Sequence, residues 1–516
     1  MAGVTTRPLS EGPYTATSTL ESLRVTSVWS DDLITAAGLR IDQALFATVG
    51  GGLASFAAVD ALRICGLKVD QIRVISPQRQ PYENLSRLIR AGQIRDDDPL
   101  RSDSGSRADN LWGFPGYAAQ EAVNRRTVRP LWKVFAEPVA AAFYNPTPRQ
   151  VFRGLDREAA RIGWPSMLSP GQAELIRRHA GGGFACLVRP ADLSPPYVLR
   201  ARYLHLGTGY PALGYVPGLT EYRLRHQEFF NVVNAYEPHE HVYQVLRRRA
   251  GTVLVRGAGI TASRVLQRLI DDRDRSGQAV QILHLFRDRG ERPAGQNASG
   301  HADEDGWRYQ PFSFPKAATS GQLREQIARM GSEERTAWIA AMSGTTTAKR
   351  RDWQRQLHRA RSQGFYQALR GEIATMEPCG DRQVQLHIAG AANGRSRQLN
   401  VDFLLDCTGM NAQLLQSPLL ADLVSSGSAA LNALGGLDVG PHFELHGINS
   451  GPSTGCLYAS GAIARGGYLA PSDSFLGFTY AALLICDDLA AQGACRRLGT
   501  RGSVTGWIKW LGRRAP

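Results

Sequence analysis

Two short segments place glycines and small residues at a spacing that can cradle a pyrophosphate. They read Val49-Gly-Gly-Gly-Leu-Ala-Ser55 and Arg256-Gly-Ala-Gly-Ile-Thr-Ala-Ser263, each after an apolar run and at the start of a helical pattern. In this pattern the first glycine makes a tight bend and the second lets backbone N–H groups at a helix N-terminus approach an anion. A small residue three places on lets helix and strand pack. Gly50, Gly52 and Ser55 fill the three positions in the first segment, and Gly257, Gly259 and Ala262 fill them in the second. Each segment is followed about 150 residues later by an apolar run ending in Thr-Gly, at Gly209 and at Gly409. Two dinucleotides facing each other imply electrons moving between them.

The residues beyond the second strand of such a unit hold the ribose. In the first unit this strand ends Val74-Ile-Ser-Pro-Gln-Arg79, with no carboxylate for the ribose hydroxyls, so Ser76 or Gln78 is expected to serve as a neutral contact. In the second unit it ends Leu285-Phe-Arg-Asp-Arg289. Arg287 and Arg289 there favour a 2′-phosphate, hence NADPH, although both also read as solvated loop arginines in an arginine-rich chain. Arg264, early in the second helix, is a further phosphate candidate. The pair His239 and His241 lacks a third ligand nearby, so no metal is expected.

A chain of 516 residues, 43% apolar and 21% charged, has room for two or three domains with full cores. Its net charge of +14 comes from arginine, since only five of the 60 basic residues are lysine. That charge attracts anions in general, and no nucleic-acid-binding module accompanies it, so no nucleic acid is expected. Seven scattered cysteines with no C-x-x-C pair fit a reducing compartment and argue against a dithiol reductase. With no signal-like N-terminus and no long apolar run, the expected setting is cytoplasmic, without stable membrane insertion.

The elements that must position the glycines follow from hydrophobic period. Strands are expected at residues 43–49, 71–75, 201–206, from 252, and at 280–286. Helices are expected at 54–65, 147–162 and 474–489, with two or three more over 319–371, and residues 380–406 alternate as strands do. The expected fold class is α/β with two Rossmann-like dinucleotide-binding domains, the second inserted in the first. The boundaries read as an N-terminal extension at 1–40, the first part of one domain at 41–235, the inserted domain with a helical insertion at 236–378, the rest of the first domain at 379–490, and a basic tail at 491–516.

Four further segments carry a family resemblance: Ala201-Arg-Tyr-Leu-His-Leu-Gly-Thr-Gly-Tyr-Pro211, Val401-Asp-Phe-Leu-Leu-Asp-Cys-Thr-Gly-Met410, Phe230-Asn-Val-Val-Asn-Ala-Tyr236 and Gly466-Gly-Tyr-Leu-Ala-Pro-Ser-Asp-Ser-Phe-Leu-Gly477. With the glycine turns, they resemble, over roughly residues 43–490, the two-dinucleotide flavoproteins, and specifically the class B flavin monooxygenases and amine N-hydroxylating monooxygenases. Asn234-Ala-Tyr-Glu-Pro-His-Glu-His-Val-Tyr243 and Leu100-Arg-Ser-Asp-Ser-Gly-Ser-Arg-Ala-Asp-Asn-Leu-Trp-Gly113 also resemble a bacterial group of FAD/NAD(P)-binding proteins.

The resemblance implies FAD on the first turn and NADPH on the second. It further implies hydride transfer between them, a flavin C4a-hydroperoxide formed with molecular oxygen, and oxygenation of a small-molecule nucleophile, with amine N-hydroxylation favoured. Asn234 stands where the monooxygenase fingerprint carries histidine, and is the expected catalytic hydrogen-bond donor. Trp112 is expected to wall the flavin, and Asp473 to replace the Gly-Asp pair that residues 459–462 lack. A homo-oligomer is compatible with this reading. A flavin-dependent dehydrogenase or oxidase, and an inactive scaffold that senses or binds, remain open alternatives.

Overall fold

The computed structural model describes residues 21–100, 116–136, 144–210, 217–286, 301–302, 307–309, 321–342, 350–380, 382–390, 396–409, 413–449, 455–469 and 472–516. Trp112, Arg287 and Arg289 lie outside these residues.

The first sheet comprises β1 (Val28–Trp29), β2 (Arg40–Val49), β3 (Ile72–Ser76), β4 (Leu168–His179), β5 (Phe184–Pro190), β6 (Tyr197–Leu206) and the distant β17 (Cys456–Ala459). Its order is β1-β4-β3-β2-β6-β17, parallel throughout, with β5 bridging β4 and β6 in antiparallel fashion. The ends of β2 and β6 are buried over Phe46–Val49 and Tyr203–Leu206, as a parallel sheet covered on both faces requires. Helix α1 (Asp31–Ala36) is capped by Ser30. Helix α2 (Leu53–Ile64) follows the first glycine turn, and α3 (Glu83–Ala91) follows β3. Helix α4 (Pro148–Ile162) starts as its sequence dictates: Thr147 and Gln150 form a capping box, Pro148 takes the first position, and Gly163 ends the helix in the left-handed region at φ +77°.

The second sheet holds β7 (Val232–Asn234), β8 (Gly251–Arg256), β9 (Val280–Phe286), β12 (Tyr366–Arg370) and β16 (Phe403–Asp406), all parallel in the order β12-β9-β8-β16-β7. Helix α5 (Ile260–Ser276) follows the second glycine turn. A small ribbon pairs β10 (His301–Ala302) with β11 (Arg308–Tyr309). A three-stranded antiparallel sheet joins β13 (Glu372–Cys379), β14 (Gln383–Ala389) and β15 (Arg397–Val401). Helices α6 (Gly321–Arg329), α7 (Ser332–Met342) and the basic α8 (Arg351–Ser362) form the helical insertion. The chain then returns to the first sheet through β17 and the apolar helix α9 (Phe475–Ala491), capped by Ser474, which packs with α2 in one core. The chain ends in α10 (Thr500–Leu511).

The nesting stands, and its boundaries move. β7 and β16 hydrogen-bond within the second sheet, so the inserted domain runs from about residue 217 to 409 and absorbs the stretch 379–409 that hydrophobic period had placed in the outer domain. A two-residue alternation identifies a strand but carries no information about which sheet it joins. Within the expected N-terminal extension, residues 21–40 pack on the first sheet. Leu23, Trp29 and Ile34 are fully buried against β4 to β6, and Trp29 donates its indole N–H to the Leu23 carbonyl at 3.0 Å.

Candidate functional site

At the first turn the protein itself explains two of the three glycines. Gly50 has φ +99°, and a Cβ there would fall 2.5 Å from the Gly207 carbonyl oxygen; a Cβ at Gly51 would fall 2.4 Å from the Ser76 hydroxyl. Gly52 is different. Its φ is −80°, and a Cβ there would meet nothing within 4 Å. It is the N-cap of α2, no side chain caps that helix, and no acidic residue occupies its first turn. The N–H groups of the first turn of α2 have no side-chain cap, and the space beside Gly52 is open at the positive end of the helix dipole, where a pyrophosphate would approach.

Beneath this turn runs a buried polar chain. The Thr48 hydroxyl lies 2.8 Å from the Ser55 hydroxyl and 2.9 Å from His205 Nδ1, and His205 Nε2 lies 2.8 Å from the Ser460 hydroxyl. It ties β2, α2, β6 and the end of β17 together. Burial drives His205 down to about 3, so the ring is neutral and can both donate and accept. Ser55 thus does more than permit close packing. The signal for this chain was a histidine inside the apolar run Tyr203–Leu206, because a buried polar group needs partners.

The second turn repeats the plan. Gly257 has φ +124°, with its virtual Cβ 2.6 Å from the Cys407 carbonyl oxygen. Gly259 is the N-cap of α5, again without a side-chain cap, and Ala262 is fully buried. Here too a buried histidine stands behind the turn. His284 Nε2 lies 2.5 Å from the Gly257 carbonyl, which can only accept, so Nε2 carries the proton and Nδ1 accepts from the Tyr366 hydroxyl at 2.8 Å. Burial lowers this ring to about 4.

The two Thr-Gly crossings lie beside the turns. Gly209, at φ +73°, and Gly409, at φ +108°, both border open space. The Thr208 hydroxyl is buried and has no partner among the described residues, whereas Thr408 donates to Asp406 Oδ1 at 2.7 Å. Asp473 sits just before α9 and accepts from the Tyr210 hydroxyl at 2.7 Å; burial, followed by the Asp473 charge, pushes that phenol up, so it stays protonated. Gln78 donates its backbone N–H to the Ser76 hydroxyl at 2.9 Å, which engages Ser76 within the protein.

Two candidates make contacts within the protein. Asn234 is fully buried at the end of β7, and its Oδ1 accepts from the Tyr236 N–H at 2.9 Å, which shapes the turn that follows the strand. Arg264 is also buried, 3.0 Å from Asp98 and 3.1 Å from the Gln267 side-chain amide oxygen. A short polar side chain at the end of a strand and an arginine near a glycine turn look alike in sequence whether they face ligand or protein. No group of three or more His, Cys, Asp or Glu side chains among the described residues is arranged to hold a metal, and all seven cysteines are free thiols.

The domains meet where the first turns of α5 rest on the end of α3. A Cβ at Gly92 would lie 3.6 Å from the Thr261 hydroxyl, and Arg268 donates to Gln93 at 3.2 Å. From the other side, α6 and α7 reach the first domain through Arg324, 4.7 Å from the Tyr480 ring centre, and Arg335, 3.8 Å from that of Tyr468.

No family model and no curated protein sequence matches the chain. Solved structures do. The chain is similar to an ornithine N-hydroxylase of Kutzneria sp. 744, crystallised with reduced FAD, NADP+ and L-ornithine. The TM-score is 0.63 at 15% identity, over 88% of this chain and all of that one. An ornithine hydroxylase from Pseudomonas aeruginosa gives 0.62 at 15%, over 87% and 100%. The FAD-bound cadaverine monooxygenase of Erwinia amylovora gives 0.63 at 13%, over 88% and 96%. The protein therefore has the two-domain α/β fold of the N-hydroxylating flavin monooxygenases.

Proposed function

We propose that the protein is a cytoplasmic FAD- and NADPH-dependent monooxygenase that N-hydroxylates a small-molecule amine with molecular oxygen. The observation that carries this reading is Gly52: a glycine the polypeptide does not need, at an uncapped helix N-terminus, in a fold shared with FAD-bound enzymes. The N–H groups opening α2 would hold the FAD pyrophosphate, and those opening α5 would hold that of NADPH. The unpartnered Thr208 hydroxyl, Gly209 and Gln78 border the first site, and Gly409 borders the second. When bound, the flavin supplies oxygen activation at the expense of NADPH.

The chain's own residues position and insulate. The neutral His205 and His284 rings brace the two turns without adding charge near either pyrophosphate. Tyr210 and Asp473 form a hydrogen-bonded pair at the N-terminus of α9, beside the expected flavin face. Asn234 is a positioning residue for the turn leading to Tyr236, whose hydroxyl lies 2.9 Å from that of Thr261 in the first turn of α5. Trp112 remains the proposed wall of the flavin, and Arg287 and Arg289 the proposed grip on the 2′-phosphate.

The test begins with purified protein. Retained FAD, NADPH oxidation that depends on oxygen, and a hydroxylated product from ornithine, lysine or cadaverine are expected, with poor turnover of sulfides and ketones. Arg287→Ala should raise KM for NADPH more than for NADH. A yellow protein that oxidises NADPH without oxygenating any amine would instead be a dehydrogenase or oxidase, and a protein with no affinity for FAD would sink the enzyme reading.

A further inference from the structure

At the two ends of α4 the outer domain combines exposed aromatic and aliphatic side chains with a high density of positive charge. At one end stand the helices Gly116–Arg125 and Arg129–Phe135, on and between which Val123, Val128, Trp132 and Phe135 are each about 70% exposed or more. Arg125, Arg126, Arg129 and Lys133 interleave with them. At the other end is α10, which has no buried residue at all. Its Val504, Trp507, Ile508 and Leu511 form an exposed stripe at i, i+3, i+4 and i+7. From Gln492 to Pro516 the chain carries six basic residues and no acidic one.

Helix α4 connects the two ends. Its 15 residues span about 22 Å. At its start, Arg149 and Arg153 line one cavity with Glu121, Arg125 and Lys133 of the first helices. In its last turn, Arg161 donates to the Arg514 carbonyl beyond α10 at 3.2 Å. Between them Arg149, Arg153 and Arg157 recur every four residues along its exposed side.

Exposed tryptophans and a clean apolar helical stripe on a water-soluble surface mark a contact site. We propose that this face seats the protein on an anionic lipid bilayer. The apolar groups stand exposed on helices with arginine and lysine beside them, a combination that suits a headgroup layer. Trp132 and Trp507 suit the depth of the headgroups, while arginine and lysine reach phosphates at the same level. A second copy of the chain is a poor occupant, because a two-fold contact through this face would set each basic cluster against basic residues of its twin. No helix among the described residues is long and apolar enough to cross a membrane, so the contact is peripheral. The cytoplasmic leaflet, being anionic, has the required charge.

Co-sedimentation of the full-length protein with vesicles tests this. Binding is expected to vesicles of phosphatidylcholine mixed with phosphatidylglycerol, not to phosphatidylcholine alone, and to weaken as salt is raised. The double substitution Trp507→Asp with Ile508→Asp, and separately Trp132→Asp, should each lower the partition coefficient by about tenfold or more. Circular dichroism and thermal unfolding should stay unchanged, because these side chains pack against little. No binding to the mixed vesicles would overturn the proposal, as would binding that none of these substitutions weakens. A dimer in gel filtration that the same substitutions dissolve would give the face to a second copy and overturn it equally.

Discussion

Asp98 and Arg264 meet at 3.0 Å with side chains 9% and 5% exposed, although one belongs to the outer domain and the other to the inserted one. Burial lowers the Arg264 pKa and the Asp98 charge opposes that, leaving the guanidinium charged. A buried pair of this kind adds little over an apolar contact, yet breaking it strands a charge. Asp98→Asn should therefore cost about 3 kcal/mol in urea unfolding, while the double variant Asp98→Leu with Arg264→Met should recover most of that loss. Equal losses in the single and double variants would show that packing, not the unpaired charge, is responsible.

Gly50 and Gly52 should respond to alanine in opposite ways. At Gly50 a side chain would strike the Gly207 carbonyl from a left-handed backbone, so Gly50→Ala should damage folding itself. Gly52→Ala has room and an ordinary φ, and should cost no more than about 1 kcal/mol in the apoprotein. It should nonetheless weaken FAD binding by an order of magnitude or more, read by titration of the apoprotein with FAD. Unchanged FAD affinity in Gly52→Ala would remove the α2 N-terminus as the pyrophosphate site.

Glycine spacing and strand period made the nested fold legible, because both are local: Gly50 and Gly257 need only their own bend and the strand beside them. The limits of the inserted domain were not legible, because β7 and β16 are short and their sheet is chosen by neighbours far along the chain. Side-chain roles were least legible where one residue type serves two purposes. Arg264 reads as a phosphate ligand until Asp98, 166 positions away in sequence, is brought beside it. Asn234 reads as a donor through its amide nitrogen, and the turn its oxygen holds through the Tyr236 N–H has no mark in the sequence. The histidine within the apolar run of β6 signals a buried polar partner, but nothing local identifies that partner as a serine 255 positions later.

The two buried histidines make stability depend on pH with a definite sign. His205 is held at about 3 and His284 at about 4 in the folded protein, against about 6.5 when unfolded. Below pH 6.5 the unfolded chain therefore binds more protons than the folded one, so stability falls as pH falls. The stabilisation is complete above pH 6.5. From there down to about pH 4 each histidine removes about 1.4 kcal/mol per pH unit. Urea midpoints measured across this range should drop steeply for the native protein and less steeply for His205→Gln, whatever that variant's stability at neutral pH. Parallel slopes for the two proteins would mean that His205 titrates normally.

Arg335 connects the helical insertion to the loop that leads into Asp473. It is only 3% exposed, its guanidinium carbon lies 3.8 Å from the Tyr468 ring centre, and its Nη1 donates to the Met330 carbonyl at 3.2 Å. A desolvated cation over an aromatic face contributes about 2 kcal/mol, and Arg324 over Tyr480 makes a second, weaker contact from α6. A double-mutant cycle with Arg335→Met and Tyr468→Leu should give a coupling energy of about 1–2 kcal/mol in unfolding. Arg335→Lys should rescue only part of it, because a compact ammonium stacks less closely than a planar guanidinium. If loosening this contact also lowers FAD retention, the insertion helps shape the flavin site; if retention is untouched while coupling is present, its role ends at holding the domains together.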